Sequence, residues 1–422
     1  MATSKQSRCS FCGRPQNEVQ DLVGSPPDGP FICNNCLDAS QQAIVAKRGS
    51  AGGRKKNEDF VLPKPRAIYG HLSDYVIGQE RAKRTVANAV YSHFKRRKAV
   101  ESGVDLGVEI SKSNILLLGP SGTGKTEIAR SIAKILRVPF HVSDVSNLTQ
   151  AGYVGDDVES IIQGLLGACD NDVEQAQWGV VFLDEMDKIA RKSGRNASGY
   201  RDVTGEGVQQ QLLKLVEGHK VKVPHGMARM VSGVGQGASM VDTTNILFIC
   251  GGSFDGIQET VKKRVNKGTR LGFGAEARKD LNDRDIYSQI EDEDLLEFGL
   301  IPELLGRLPV VTSTLPLTNE EMLRILTEPK NAIVKQFQAL WKLEDEIDLQ
   351  FQPDTLERIA EMACKSPKGA RALRSILESA LSDYSFDYPS ESDIESVLVT
   401  PDVIDGTGEP VVTRRGTAAL NA

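Results

Sequence analysis

The stretch Ile115-Leu-Leu-Leu-Gly-Pro-Ser-Gly-Thr-Gly-Lys-Thr126 decides the fold class of this 422-residue chain. Consecutive apolar residues cannot alternate between core and solvent, so Ile115–Leu118 reads as a strand covered on both faces. It runs straight into a glycine-rich segment, and residues 125–137 follow with helical periodicity. Strand, glycine loop and helix in that order make a phosphate cradle of the Walker A kind. Gly119, Gly122 and Gly124 let the backbone wrap phosphate oxygens and aim amide hydrogens at them, with Pro120, Ser121 and Thr123 completing the wrap. Lys125 brings positive charge to the β- and γ-phosphates, Thr126 offers a hydroxyl to Mg²⁺, and the helix N-terminus adds its dipole. The expected ligand is ATP with Mg²⁺.

Val180-Val-Phe-Leu-Asp-Glu185 is a second apolar strand, ending in two carboxylates, and Ile246–Cys250 is a third. Short apolar strands alternating with helices imply a parallel sheet with helices on both faces, whose strand C-termini gather where a nucleotide binds. Asp184 is then expected to hold Mg²⁺ through water, and Glu185 to polarise the water that attacks ATP. An acidic start to a helix after the strand is the plainer reading of the pair; the glycine loop upstream favours the catalytic one.

Near the N-terminus, Cys9-x2-Cys12 and Cys33-x2-Cys36 have the spacing of a four-thiolate Zn²⁺ site. Such a site has no open coordination position, so its role is structural, in place of a core that a segment this short cannot build. Cys169, Cys250 and Cys364 stand alone in apolar surroundings and read as small buried hydrophobes. Composition is that of a globular protein, 40% hydrophobic and 26% charged, with a formal charge of −6. The basic clusters at 95–98, 54–56 and 262–264 are short and read as solvated faces or linker. There is no apolar run of membrane-spanning length and no signal-peptide core, which points to a cytoplasmic protein. No His-Glu-x-x-His or Gly-x-Ser-x-Gly motif suggests a second hydrolytic centre.

The expected organisation is a zinc-binding domain over 1–45, a linker over 46–66 and a large α/β ATPase domain over 67–315. A small, mainly helical domain over 316–405 and a flexible tail over 406–422 follow. Thr318 and Glu321 fit a capping box, and Pro329 suits the first turn of the next helix. The segment 220–242 reads as a long loop. Ala151-Gly-Tyr-Val-Gly155 fits either a tight hairpin with two core side chains or a mobile loop with an apolar tip.

Together these motifs resemble the ClpX family, AAA+ unfoldases that feed proteins to the ClpP peptidase. The resemblance covers 8–405 and rests on the zinc module, Val76-Ile-Gly-Gln79, the Walker pair and Gly152-Tyr-Val-Gly155. It rests also on Arg201-Asp-Val-Thr-Gly-Glu-Gly-Val-Gln-Gln210, Gly299-Leu-Ile-Pro-Glu303, Gly306-Arg-Leu-Pro309 and Gly369-Ala-Arg371. It implies an AAA+ module in a homohexamer with ATP between subunits, and protein substrates, adaptors and ClpP as partners. Val76 and Ile77 would lie against adenine, Arg307 would reach a neighbour's γ-phosphate, and Arg371 would tie nucleotide state to domain rotation. Tyr153 and Val154 would grip polypeptide in the central pore, with Arg201 also at the substrate pore, and Leu271-Gly272-Phe273 would dock on ClpP. Where family members carry Arg-Lys-His at the pore entrance, this chain reads Pro224-His-Gly-Met-Ala-Arg-Met-Val-Ser-Gly, with Arg229 and His225 the only basic groups. The resemblance therefore does not extend to recognition of substrate tags. The rival reading is a nucleic-acid remodeller or helicase loader that holds DNA with its zinc module. The acidic balance and the lack of basic–aromatic interleaving speak against it.

Overall fold

A computed structural model describes residues 8–24, 29–40, 61–104, 107–108, 110–148, 157–191, 205–224, 238–268 and 282–415. The chain divides into two compact units, 1–61 and 62–422. In the first, strands β1 (Leu22–Gly24) and β2 (Phe31–Cys33) form an antiparallel ribbon, followed by helical residues 34–40. Its only buried apolar-type side chains among the described residues are Cys9 and Cys33, so apolar burial does not hold this unit together.

In the second unit, β3 (Ile115–Leu118), β4 (Phe140–Asp144) and β5 (Val180–Asp184) precede an antiparallel pair, β6 (Lys220–Pro224) and β7 (Ala238–Asp242). β8 (Leu247–Gly252) and β9 (Val310–Ser313) complete a five-stranded parallel sheet in the order β4-β5-β8-β3-β9. β3 lies between β8 and β9, with Leu118 opposite Gly252 and Ser313. Every residue of β3 and β8 is buried, as their unbroken apolar runs require. Because the strands are parallel and in register, Leu118, Asp184, Gly252 and Ser313 end on one edge, and that edge carries the phosphate loop.

The expected loop over 220–242 is corrected: its two ends are the strands β6 and β7. Lys-Val-Lys-Val alternates with period two, and Val221, Val223 and Val241 are buried. Residues 225–237, with His225 and Arg229, lie outside the described residues.

The C-terminal part is built on the helices Asn319–Thr327, Ile333–Leu343, Pro353–Cys364 and Arg371–Asp387, around Leu326, Trp341, Ile359, Leu373 and Leu377. It also holds a three-stranded sheet: β10 (Asp348–Phe351) parallel to β11 (Ile394–Val399), and β12 (Val411–Arg414) antiparallel to β11. The tail expected from 406 onward is thus a strand at 411–414. It gains ladder hydrogen bonds from β11, and Arg414 pairs with Asp393 and Glu391 at 2.7 Å each.

Thr318 and Glu321 form the expected capping box, each side chain bonded to the other's backbone N–H. Pro329 is not in the first turn of a helix. It lies in the turn before Ile333–Leu343, where its carbonyl accepts from Lys335 Nζ at 3.0 Å. Cys169 and Cys250 are buried as expected, but Cys364 is exposed, because it ends its helix on the solvent side.

Candidate functional site

A cavity of about 450 Å³ opens at the C-terminal edge of the parallel sheet, between the phosphate loop and the C-terminal helices. Gly122 to Thr126 form one wall, Val76 and Ile77 a second, and Leu317, Ile333 and Arg371 face them. The loop's shape excludes side chains at two points. Gly119 has φ +133°, and a Cβ there would lie 2.2 Å from Thr314 Oγ1. Gly122 has φ +74°, and a Cβ there would lie 2.3 Å from the carbonyl oxygen of Lys368. The amide of Ala370 donates to the Gly122 carbonyl at 3.3 Å, so the helical part touches the phosphate loop directly.

Lys125 is buried and donates through Nζ to the carbonyls of Gly119 (2.6 Å) and Pro120 (2.9 Å). Burial pulls its pKa down to about 8, with Arg371 adding to the fall and Asp184 opposing it. A cation so poorly solvated is poised to gain from incoming phosphate charge. Thr126 Oγ1 donates to Asp184 Oδ2 at 3.3 Å, bringing together two oxygen ligands suited to a hard divalent cation. Asp184 Oδ1 accepts from the Glu185 amide at 3.0 Å, and Glu185 itself has φ +61° with an exposed carboxylate. A non-glycine residue held left-handed costs on the order of 1 kcal/mol. Here it turns Glu185 out of the strand and into solvent, where water can reach it.

Val76 and Ile77 are both buried, and the Val76 carbonyl accepts from Lys83 Nζ at 3.2 Å. Gln79, left-handed at φ +58°, clamps this segment to the far side. Its amide exchanges two hydrogen bonds with the Leu315 backbone, at 2.8 and 2.7 Å. Asp187 and Ser253 are residues the sequence reading missed. Asp187 accepts from the amide and the hydroxyl of Ser253 at 3.0 and 3.2 Å, just past the end of β8. The signal available was position alone, since polar residues that follow buried parallel strands gather at the ligand edge. Thr314 was also missed; it bonds Thr123 Oγ1 at 2.6 Å and the Leu118 carbonyl at 3.0 Å, behind the loop.

Arg307 is not in this cavity. It precedes β9, whose first residue is in register with Ile115, so it lies at the sheet edge opposite the phosphate loop. Its guanidinium pairs with Glu217 instead. Tyr153, Val154, Arg201, Leu271, Gly272 and Phe273 fall outside the described residues.

In the N-terminal unit the Sγ atoms of Cys9, Cys12, Cys33 and Cys36 all lie within 4.8 Å of one another. Gly13, at φ +75°, closes the first knuckle by donating to the Cys9 carbonyl at 2.8 Å, and the Cys33 amide donates to Cys9 Sγ at 3.3 Å. Burial raises the Cys9 pKa, but backbone N–H donors from Cys12, Cys33 and Phe11 outweigh it and bring the thiol down to about 6. Cys36, hydrogen-bonded to Cys12, is pushed up to about 12. Sulfurs this close repel as thiolates, and a tetrahedral divalent cation relieves that repulsion, so the donor set fits Zn²⁺.

Three family models match the chain. They are the ClpX C4-type zinc finger over 7–46, the AAA domain (Cdc48 subfamily) over 110–311, and the C-terminal D2-small domain of ClpB protein over 317–399. Two curated relatives are named "ATP-dependent Clp protease ATP-binding subunit ClpX". One, from Bacteroides fragilis, is 48% identical over 94% of this chain and 94% of its own length. The other, from Treponema denticola, is 43% identical over 94% and 93%. The chain belongs to the ClpX family. It is therefore an AAA ATPase that binds nucleotide and zinc, with a ClpX C4-type zinc finger and a C-terminal small domain of the ClpB D2 kind. No helix among its described residues is long and apolar enough to cross a membrane.

Proposed function

We propose that the chain is an ATP-driven protein unfoldase and translocase, which assembles as a homohexamer and delivers substrate proteins to the ClpP peptidase. The observation that carries this reading is the placement of the nucleotide cavity at a junction. One wall is the phosphate loop of the α/β part, the other is the C-terminal helical part, and Ala370 bonds Gly122 across the gap. A γ-phosphate lost from such a site changes the contacts of both walls, so hydrolysis can change the angle between them. That is how an ATPase does work on something else.

On this reading Val76 and Ile77 pack on adenine, the Gly119–Gly124 backbone with Lys125 holds the phosphates, and Glu185 orients and polarises the attacking water. Mg²⁺, held by Thr126 and Asp184, would neutralise charge on the phosphate oxygens. Arg371 reports nucleotide state to the helical part from the start of its own helix, and Arg307 serves the site of a neighbouring subunit. The placement of Arg307 on the edge away from its own phosphate loop supports that division. Zn²⁺ at Cys9, Cys12, Cys33 and Cys36 is structural, giving the N-terminal unit the rigidity to receive adaptors or substrates. Tyr153 and Val154, with Arg201, contact polypeptide in the pore, and Leu271-Gly272-Phe273 anchors ClpP. The proposed boundaries are 1–45, 46–66 and 67–315, with a C-terminal domain from 316 that runs through strand β12 to Arg414, in a cytoplasmic protein.

The test is fluorescence loss from a stably folded fluorescent protein carrying an unstructured terminal tag, incubated with the full chain. Loss should require ATP and be absent in Glu185→Gln, which should still bind ATP. If the native chain hydrolyses ATP yet leaves a range of tagged substrates folded, the unfoldase reading is wrong.

A further inference from the structure

Arg307 is held at both ends. Asn114, almost fully buried, donates through Nδ2 to the Arg307 carbonyl at 3.0 Å and to the Val216 carbonyl at 3.3 Å, while its Oδ1 accepts from the Phe248 amide at 3.3 Å. Lys112 Nζ donates to the same Val216 carbonyl at 3.1 Å. Val216 and Glu217 end the helix Glu206–Glu217, and Gly218 breaks it at φ +114°, where a Cβ would lie 2.8 Å from Thr244 Cα. The backbone beneath Arg307 and the backbone beneath Glu217 are therefore tied to one buried amide. Glu217 then reaches out to take the guanidinium.

We propose that Glu217 is the positioning residue for Arg307, holding its guanidinium in the orientation in which it is offered to the adjoining subunit's nucleotide. The inference rests on the reading that Arg307 acts on a neighbour's phosphate. Both side chains are about half exposed, 52% and 47%, and an ion pair that solvated contributes little to stability. Its effect is to restrict rotamers. Arginine has many to lose, and restricting them beforehand lowers the cost of binding an oxyanion. Glu217 engages only Nη2, which leaves the other N–H donors of the planar fork for a phosphate. The same architecture mounts the two functions on one rod. Asn114 immediately precedes β3, and β3 ends at the phosphate loop, so a subunit's own loop and the arginine it lends are fixed to opposite ends of a single buried strand.

The experiment compares steady-state ATPase kinetics of the full-length Glu217→Ala, Glu217→Gln and Arg307→Ala chains, then of mixed assemblies. Glu217→Ala should lower kcat by up to about a hundredfold, leaving the KM for ATP nearly unchanged, because the lost interaction matters only in the transition state. Glu217→Gln, which keeps an acceptor oxygen, should fall between. Mixing in Glu185→Gln chains, which do not hydrolyse but present an intact Glu217–Arg307 pair, should raise the rate per Glu217→Ala site. A defect confined to the mutant's own site would not be rescued this way. A Glu217→Ala kcat equal to wild type beside a slow Arg307→Ala overturns the inference alone, as does a slow Glu217→Ala without rescue. An Arg307→Ala chain that hydrolyses at the wild-type rate removes the reading beneath it, and the inference with it.

Discussion

The N-terminal unit and the parallel-sheet unit solve the same problem with different chemistry. Around β3 and β8 the chain buries whole apolar strands, and the phosphate loop takes its shape from what lies behind it, Thr314 under Gly119 and Lys368 beside Gly122. Around Cys9 the apolar side chains, Phe11 and Val23 among them, stay exposed or half-buried, and order converges instead on sulfur atoms within 4.8 Å of one another. Order in one unit should therefore depend on solvent and packing, and in the other on a metal.

Removing the metal is the largest way to sharpen that contrast. Structural Zn²⁺ contributes on the order of 10 kcal/mol, so a strong chelator at neutral pH should abolish amide-exchange protection across 8–40 while ATP affinity stays unchanged. Protection that survives chelation would mean that burial, not metal, holds the unit.

The converse test breaks packing behind the loop. Gly119→Ala sets a methyl 2.2 Å from Thr314 Oγ1 and 2.4 Å from its carbonyl oxygen, in a backbone conformation that disfavours alanine. A cost of about 3 kcal/mol is expected in denaturant unfolding, with weakened ATP binding and no change in zinc content. Unaltered nucleotide affinity would show that the loop does not need Thr314 for its shape.

The smallest effect concerns charge. Burial disfavours the Lys125 ammonium and pulls its pKa down to about 8, below the ordinary lysine value of 10.5. That cost to folding is present in full below about pH 8 and is relieved as pH rises toward 10.5. Phosphates favour the charged form, so ATP binding should take up a fraction of a proton near pH 8, and affinity should fall as pH rises through that value. Calorimetry at pH 8 in buffers of different ionisation enthalpy measures the uptake; none, or proton release, would contradict the electrostatic account of Lys125.

The contrast between the units also explains what could be read in advance. Cys-x2-Cys pairs and a strand–glycine–helix run are local, because sulfur spacing and phosphate-cradling geometry are written within a few residues, and the structure brings both groups together. β10, β11 and β12 are short strands set among helices, and β10 meets β11 only across the helices Pro353–Cys364 and Arg371–Asp387, without which β12 has no sheet to join; a helical domain and a loose tail are what the sequence alone suggests. Gln79 and Leu315, 236 residues apart, or Glu217 and Arg307, 90 apart, meet only because the sheet order puts them together. Asp187 carried no spacing that would distinguish it from any acidic residue after a strand. Local chemistry was legible, and the partners that orient it were not.

The central claim is that ATP hydrolysis at this site acts on polypeptide. The most direct measurement is the steady-state ATPase rate of the full chain with increasing concentrations of an unfolded protein, and separately of single-stranded DNA. The account predicts a saturable change in rate with the polypeptide and none with DNA. A rate that responds to DNA and ignores unfolded protein would contradict it and restore the nucleic-acid remodeller.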